Sequence, residues 1–164
     1  MFREMRRKKQ QLTDATCMEL LHQCTSGVLA VLDEDGDPYA VPLSYVCDGR
    51  KIYFHSAIQG HKLDAVRANP KVSFCVIAKD QVIPEKYTTA YRSVIAFGTV
   101  RILEDEHQKR EAIQKLALRY TPDDPYGKQE AEIERYWNSL CMLEFTIEHI
   151  TGKQSKELLA EGES

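Results

Sequence analysis

Short apolar runs separated by strong turn signals fill the first half of the chain, and they restrict it to folds rich in hairpins. Residues 27–32 (GVLAVL) are apolar but too few for a stable helix, so they predict a buried strand. Strands are also predicted at residues 39–46 and 51–56, with Asp48-Gly49 between them as a hairpin turn. Pro42 cannot donate to a ladder, so its strand needs an edge, a bulge or a non-pairing position there.

The rest of the chain mixes helical and extended patterns. Thr13 is predicted to cap a first helix, and a short helix after Gly60 is predicted to stop before Pro70. Further strands are predicted at residues 72–77, 88–101 and 140–150, the last half-buried, with a loop at 79–87 and a bulge or barrel corner at Gly98. Helical periodicity is found after residue 104 and again at 128–137.

About six strands therefore arrive as hairpins, with helices beside them instead of in regular alternation. This order favours a mainly β fold with accessory α-helices, an antiparallel barrel, over a doubly wound parallel sheet. No linker divides residues 1–164, so we expect a single domain with a basic arm at 1–10 and a polar, fraying tail at 154–164.

Charge and cysteine content exclude several classes of protein. The net charge of −3 argues against nucleic-acid binding by bulk electrostatics, although residues 1–10 carry five basic side chains and one acidic one. That arm is interpreted as solvated, with contact to phosphate or to an acidic partner surface as the alternative. Five cysteines without a CxxC pair argue against a disulfide framework or zinc site, and Cys47, beside a turn, is expected to be the most exposed. With no signal peptide and no membrane-length apolar run, a cytoplasmic location is expected.

One segment has the pattern of an anion site, whereas the sequence lacks the GxGxxG, GxxxxGK[ST] and HExxH motifs. A predicted strand ends at His55-Ser56, and a helix begins after Gly60 with His61-Lys62. Helix N-terminal amides, a serine hydroxyl, a glycine that admits close approach and a lysine charge could together hold a phosphate. The alternative is structural: Ser56 caps a turn, Lys62 is solvated and His55 is a satisfied strand-end residue.

The order of several motifs resembles the flavin-binding core of the pyridoxamine-phosphate-oxidase-like superfamily, and among its branches the nitroimidazole-resistance (Nim) group. The matching segments extend over roughly residues 5 to 155 and are 41–45 (VPLSY), 48–49 (DG), 52–57 (IYFHSA), 60–62 (GHK), 69–74 (NPKVSF), 93–100 (SVIAFGTV) and 150–153 (ITGK). The resemblance implies a six-stranded antiparallel split β-barrel with flanking helices, a homodimer with flavin mononucleotide (FMN) at the subunit interface, and no metal.

The same resemblance assigns roles to individual residues. Pro42, Leu43 and Ser44 are expected along the flavin ring, and His55, Ser56 and Ala57 where the strand turns towards the phosphate. Gly60, His61 and Lys62 match the phosphate segment, and Arg92 and Ser93 are candidates for contacts from the second subunit. His55 is also the candidate catalytic residue, with a purely structural role as its rival.

Departures from the oxidases make pyridoxamine phosphate a doubtful substrate. The oxidases have Ser-Arg-Lys where this chain has Gly60-His61-Lys62, one permanent cation fewer, and their C-terminal Trp and Arg pattern is not recognisable at residues 147–153. The expected activity is that of a flavin-dependent oxidoreductase acting on a small electrophile such as a nitro compound, with flavin adenine dinucleotide (FAD) as the other candidate cofactor.

Two other classes of function stay open. One is a non-catalytic protein that binds or senses flavin, or that binds haem through His55, His61 or His149. The other is a metal-dependent enzyme using His55, His61 and Asp64, the last two at i and i+3 on a helix.

Overall fold

A computed structural model describes residues 2–161 of the chain. The described residues form seven strands and five helices. The strands are β1 (Ser26–Leu32), β2 (Pro38–Ser44), β3 (Val46–Asp48), β4 (Lys51–Ala57), β5 (Lys71–Ile83), β6 (Thr88–Ile102) and β7 (Leu140–Gln154). The helices are α1 (Asp14–Gln23), α2 (His61–Ala68), α3 (Glu106–Tyr120), α4 (Tyr126–Tyr136) and α5 (Lys156–Glu161).

All seven strands belong to one antiparallel sheet in the order β2-β1-β5-β6-β7-β4-β3. The sheet curves so that β2, at one edge, contacts β4 near the other. Pro42 therefore lies in an edge strand, which confirms the prediction made from its missing N–H. The mainly β class with flanking helices is likewise as predicted.

The seventh strand arises because the predicted strand at residues 39–46 is interrupted at Tyr45. The pairing of β2 with β1 ends at Ser44, and the Tyr45 amide instead donates to the Thr25 carbonyl at 3.2 Å. The fully buried Tyr45 ring packs edge-on against Phe74, and its hydroxyl donates to the Leu21 carbonyl at 2.7 Å. Because the Tyr45 side chain is buried, the strand bends there, and the next strand, β3, pairs with β4.

The loop expected at residues 79–87 is wrong for residues 79–83, which are strand, and confirmed for residues 84–87, which turn at Pro84. β5 continues to Ile83 and β6 begins at Thr88, so the two strands pair beyond the barrel as an arm whose tip is a single 3-10 turn at Pro84–Lys86. The arm lies beyond the core and is flanked mainly by solvent, so its side chains show no strand-like apolar alternation.

The bulge expected at Gly98 is present. The register between β6 and β7 shifts between Phe97 and Gly98. A Cβ atom at Gly98 would lie 1.9 Å from the Thr146 carbonyl oxygen, so the backbones approach at a distance that only glycine allows.

The half-buried assignment of residues 140–150 fails for the first part of β7. Residues 141–145 are all buried, because the barrel core covers one face and α3 covers the other. Glu144 is therefore a buried carboxylate. It accepts hydrogen bonds from Arg101 Nε at 2.8 Å and Lys51 Nζ at 2.9 Å.

Both chain ends are more ordered than expected, within the described residues. Phe2 stacks on His149 with ring centroids 4.5 Å apart, and the Leu12 amide donates to the Gly152 carbonyl, so the basic arm lies along the sheet with its cations exposed. The tail forms α5, which buries Leu158. Residue 1 of the arm and residues 162–164 of the tail lie outside the described residues.

Cysteine exposure also differs from the expectation. Cys47 is buried, because β3 turns its side chain into the core, and burial raises the pKa of the thiol to about 12. All five cysteines are free thiols. Within residues 2–161, none of the helices has the length and apolar character needed to cross a bilayer.

Candidate functional site

Two neighbouring strands present a common outer surface beside helix α3. On β2, Val41 and Leu43 pack on the core, which directs Pro42 and Ser44 outward. On β4, Ile52 and Phe54 enter the core, which directs His55 and Ala57 outward. Pro42, Ser44, His55 and Ala57 thus all point away from the core, whereas Leu43 packs on it, and the predicted roles of these residues towards a flavin stay predictions.

Two cavities lie over this surface. A cavity of about 250 Å³ is bordered by Ser44, His55 and the α3 residues Leu116 and Tyr120. A second of about 500 Å³ runs from His55 past Ser56 and Ala57 beneath the α3–α4 hairpin. Both touch His55 and Tyr120, so they form one continuous groove, which we call the α3–α4 groove.

His55 lies at the middle of the groove. Its side chain is open to the cavities, yet the surrounding protein removes enough water that desolvation lowers the imidazole pKa below its ordinary value of 6.5, and the positive charge of Lys62 lowers it further. The imidazole is therefore neutral at pH 7. A neutral imidazole offers one N–H donor and one acceptor nitrogen.

Ser56 follows His55 on β4, and Lys62 lies near enough to that histidine for its charge to lower the imidazole pKa. Ser56 is paired with Cys141 across the β4–β7 ladder. Desolvation lowers the pKa of the Lys62 ammonium, which is half-buried on the first turn of α2. Lys62 thus lies near His55, whereas the anion site predicted from Ser56 and Lys62 together stays a prediction.

The N-terminus of α2 supplies further donors. Gly60 precedes the helix with φ of 138°, and the region around its Cα is open among the described residues. Its carbonyl accepts from the Leu63 and Asp64 amides, so the amides of His61 and Lys62 in the first turn are left for an external acceptor. This is the geometry that binds phosphate groups at helix N-termini.

His61 is held by a different part of the molecule. Its Nε2 lies 3.3 Å from Asp33 Oδ2, and its ring stacks on Tyr39 with centroids 4.4 Å apart. The side chain therefore joins α2 to the β1–β2 turn, and its contribution to an anion site would come through its backbone amide.

Arg92 and Ser93 lie elsewhere on the sheet. They face Gln154 and Lys153 near the end of β7, whereas Ser56 and Ala57 face Cys141 and Leu140 at its beginning. Arg92 Nε donates to Gln154 Oε1 at 3.1 Å. Within one chain these residues are remote from His55, so the predicted contact from a second subunit stays a prediction.

The sequence did not predict that α3 and α4 cover the groove, and we call these two helices its roof. Tyr120 donates its hydroxyl to the Thr25 carbonyl and accepts from the Tyr45 amide at 3.1 Å, which ties the end of α3 to the β2–β3 corner. Arg110 bonds Glu130 at 3.0 Å and holds α4 against α3. The periodicity of residues 113–120 predicted a buried helical face, but no local signal indicates which strands that face covers.

The metal hypothesis finds no support. Across the described part of the chain, no three His, Cys, Asp or Glu side chains are grouped so that they could hold a metal ion. Asp64 pairs with Arg67 at 3.0 Å and His61 with Asp33, so neither turns towards His55.

Comparison with known proteins identifies relatives of this fold. The family model described as pyridoxamine 5'-phosphate oxidase matches residues 13–154. A search of curated proteins finds no match.

Three solved structures illustrate the structural similarity. A Bacteroides thetaiotaomicron protein assigned to 5-nitroimidazole antibiotic resistance superposes with a TM-score of 0.72 at 20% identity, over 88% of this chain and 86% of its own. An FAD-binding protein from Mesorhizobium loti superposes with a TM-score of 0.65 at 24% identity, over 90% of this chain and 98% of its own. An FAD and heme binding protein from Mycobacterium smegmatis superposes with a TM-score of 0.73 at 21% identity, over 93% of this chain and 80% of its own. At these identities the similarity establishes the split-barrel fold.

Proposed function

This chain belongs to the pyridoxamine 5'-phosphate oxidase family, and on that premise we propose that it is an FMN-binding oxidoreductase whose cofactor lies along β2 and β4. The observation that carries the proposal is that the first turn of α2, with Lys62 on it, lies close enough to His55 on β4 for the lysine charge to act on that histidine. FAD is the alternative cofactor, and the names of the M. loti and M. smegmatis proteins keep it in consideration.

The donor groups available fit a phosphorylated flavin. The amides of His61 and Lys62, the Ser56 hydroxyl and the Lys62 ammonium suit the phosphate. As an edge strand, β2 has backbone groups at Pro42, Leu43 and Ser44 that are not all used by β1, and these suit the polar edge of a flavin ring. The two ends of the cofactor thus have matching partners in the protein.

A bound flavin supplies hydride or electron transfer, and the protein supplies position and protons. Neutral His55 faces the groove, where it can donate a hydrogen bond to a substrate or take a proton from it. Lys62 beside it disfavours a second positive charge, so His55 stays neutral at the pH of the cytoplasm, where we propose the protein works. A small electrophile such as a nitro compound is the proposed substrate.

We expect FMN binding to depend on Lys62 and Ser56. Lys62→Gln removes a charge-assisted contact and Ser56→Ala a hydroxyl, so each is expected to weaken FMN binding, Lys62→Gln by about tenfold or more. Fluorescence titration of the flavin-free protein measures the Kd. Arg67→Gln, at the other end of α2, is the matched control and is expected to leave the Kd unchanged. A protein that shows no flavin absorbance after incubation with FMN would contradict the proposal.

Catalysis is tested separately from binding. Oxidation of NADPH with a nitroaromatic acceptor is measured for the flavin-loaded protein and for the same concentration of free FMN. Equal rates would favour a protein that binds or senses flavin. His55→Ala is expected to lower kcat while leaving the FMN Kd close to wild type.

A homodimer with flavin at the interface completes the proposal. One face of the sheet carries Cys75, Ile77, Ile95 and Phe97 in matching register, and Ile77 is 66% exposed. An apolar sheet face of this kind suits a second copy of the chain. Arg92 and Ser93 are proposed to reach the partner's flavin.

Haem binding is the second candidate function. His149 is the histidine that supports it, because its Nε2 is buried and has no hydrogen-bond partner among the described residues. The name of the M. smegmatis protein includes haem. A Soret band in the purified protein without flavin absorbance would favour this candidate over the first.

A further inference from the structure

The larger part of the α3–α4 groove has a composition suited to a flat, weakly polar molecule. Its apolar wall consists of Ile113 and Ala117 from α3, Ile133 from α4 and Leu140 from β7. Tyr120 and Tyr136 add aromatic rings at its margins. A volume of about 500 Å³ accommodates one or two aromatic rings.

The charged groups of this cavity are predominantly acidic. Asp124 and Glu132 line it with a single cation, Lys128, which is already paired with Asp124 at 2.9 Å. Glu132 has a loose contact with Arg135 at 3.7 Å, and Arg135 does not line the cavity. Among the lining residues that the structure describes, two carboxylates therefore face one ammonium.

This charge distribution distinguishes the cavity from the anion site. Lys62 acts on His55 but lines neither cavity of the groove, so a phosphate is favoured at Lys62 and disfavoured beside Asp124 and Glu132. His55 borders both cavities of the groove, and Ser56 borders the larger one. A molecule in the larger cavity would contact His55 and would meet a phosphate bound at Lys62 only at Ser56.

We infer that the space beneath the α3–α4 hairpin is the substrate chamber, and that Glu132 and Asp124 make it select neutral or cationic aromatic molecules over phosphorylated or carboxylated ones. The inference rests on the proposed function, because it assumes that the cofactor phosphate is held at Lys62, outside the larger cavity. It defines the substrate by charge and shape, and it gives α4 the role of determining specificity.

Three probes of equal size and different charge test the inference. Equilibrium dialysis at low ionic strength measures the binding of para-nitrobenzyl alcohol, para-nitrobenzylammonium and para-nitrobenzoate to flavin-loaded and flavin-free protein. The anion is expected to bind roughly tenfold more weakly than the alcohol, a moderate factor because the two carboxylates are partly hydrated. Equal binding of anion and alcohol, or binding of none of the probes, would overturn the inference.

Charge reversal on α4 provides the matched variants. Glu132→Lys is expected to reduce the preference for alcohol over anion to about twofold or to invert it. Glu132→Gln, which leaves the fold undisturbed at an exposed position, is expected to have an intermediate effect. Glu111→Lys, on the exposed side of α3 outside the cavity, is the control and is expected to retain the wild-type preference. If Glu132→Lys and Glu111→Lys behave alike, the assignment of Glu132 is wrong.

The two proposals fail in different ways. A protein that takes up no flavin contradicts the proposed function whatever the probes do. A protein that takes up flavin but ranks the probes without regard to charge contradicts only the substrate chamber. Flavin absorbance and dialysis on the same sample separate these results.

Discussion

The interaction between Lys62 and His55 links the anion site to the groove. Both side chains have pKa values below their ordinary range, mainly because each is desolvated, and the lysine charge also lowers the histidine pKa. Lys62, which we propose holds a phosphate, therefore also favours the neutral form of His55. Neutralisation of Lys62 by a bound phosphate would relax this effect.

We expect Lys62→Gln to raise the pKa of His55 without restoring its full ordinary value of 6.5, because desolvation remains after the charge is removed. NMR titration of the imidazole C–H resonances measures the shift, with Arg67→Gln as the control on the same helix. In wild type, the lowered pKa means that the unfolded chain binds the proton more tightly, so His55 makes folding less favourable as the pH falls below 6.5. An unchanged His55 pKa in Lys62→Gln would show that the two groups do not interact.

Glu144 has the opposite pH dependence. Burial raises the pKa of this 6% exposed carboxyl, but hydrogen bonds from Arg101 and Lys51 outweigh burial and hold the pKa below its ordinary value of 4.5. The folded protein thus binds the proton more weakly than the unfolded chain. The resulting stabilisation is complete above pH 4.5 and is lost as the pH falls through the lowered pKa.

Replacing Glu144 by Gln is expected to lower the free energy of unfolding at pH 7 by about 1–3 kcal/mol, the usual worth of hydrogen bonds to a charged group. It should also reduce the loss of stability at acid pH. Urea unfolding at several pH values measures both effects. Glu148→Gln, exposed on the same strand, is the control. Equal acid sensitivity in wild type and Glu144→Gln would exclude this role for Glu144.

At the scale of elements, the β6–β7 bulge is a position of the barrel that accepts only glycine. A methyl group at Gly98 would collide with the Thr146 backbone, which cannot move without breaking the ladder on either side. Gly98→Ala is therefore expected to lower the free energy of unfolding by about 2 kcal/mol or more.

Gly127→Ala provides the contrasting result for that prediction. Gly127 lies in α4 with open space around its Cα among the described residues, so alanine there should be neutral or stabilising by up to about 1 kcal/mol. Urea unfolding compares the two variants. Similar free energies for both would mean that the bulge accommodates a side chain.

Predictions from sequence succeeded where a local signal fixes the backbone. Asp48-Gly49 indicated a hairpin, Pro42 an edge, a bulge or a non-pairing position, and Gly98 a bulge or a barrel corner. The structure has a hairpin at Asp48-Gly49, an edge strand at Pro42 and a bulge at Gly98. They failed where residues distant in sequence determine whether a segment is paired or buried. Residues 79–83 are extended because β6 pairs with them, and Glu144 is buried because α3, remote in sequence, covers it.

The same distinction applies to the site. His55, Ser56, Gly60 and Lys62 are contiguous enough in sequence to be recognised together, and the structure brings Lys62 near His55. The roof could not be predicted, because Tyr120 and Ile133 reach the groove through tertiary contacts that leave only an ordinary amphipathic pattern in the sequence.

At the scale of the whole molecule, the exposed sheet face determines assembly. If two copies associate through Ile77 and its neighbours, an aspartate there would have to be buried without a partner. We expect Ile77→Asp to raise the dimer dissociation constant by about two orders of magnitude in sedimentation equilibrium and to weaken FMN binding with it. Leu118→Asp, equally apolar and 60% exposed but on α3, is the control. A wild-type protein that sediments as a monomer would remove the shared-site proposal.

The position of the helical hairpin in the chain has an evolutionary consequence. Ile102 and Leu143 are direct partners in the β6–β7 ladder, so the polypeptide leaves the sheet and rejoins it at adjacent points. Residues 103–139 between those points could change in length without altering the β6–β7 register, provided that a residue such as Ala112 still covers Met142. A change in residues 103–139, which include α3 and α4, could therefore alter the chemistry of the groove during evolution while the strands of the barrel are kept.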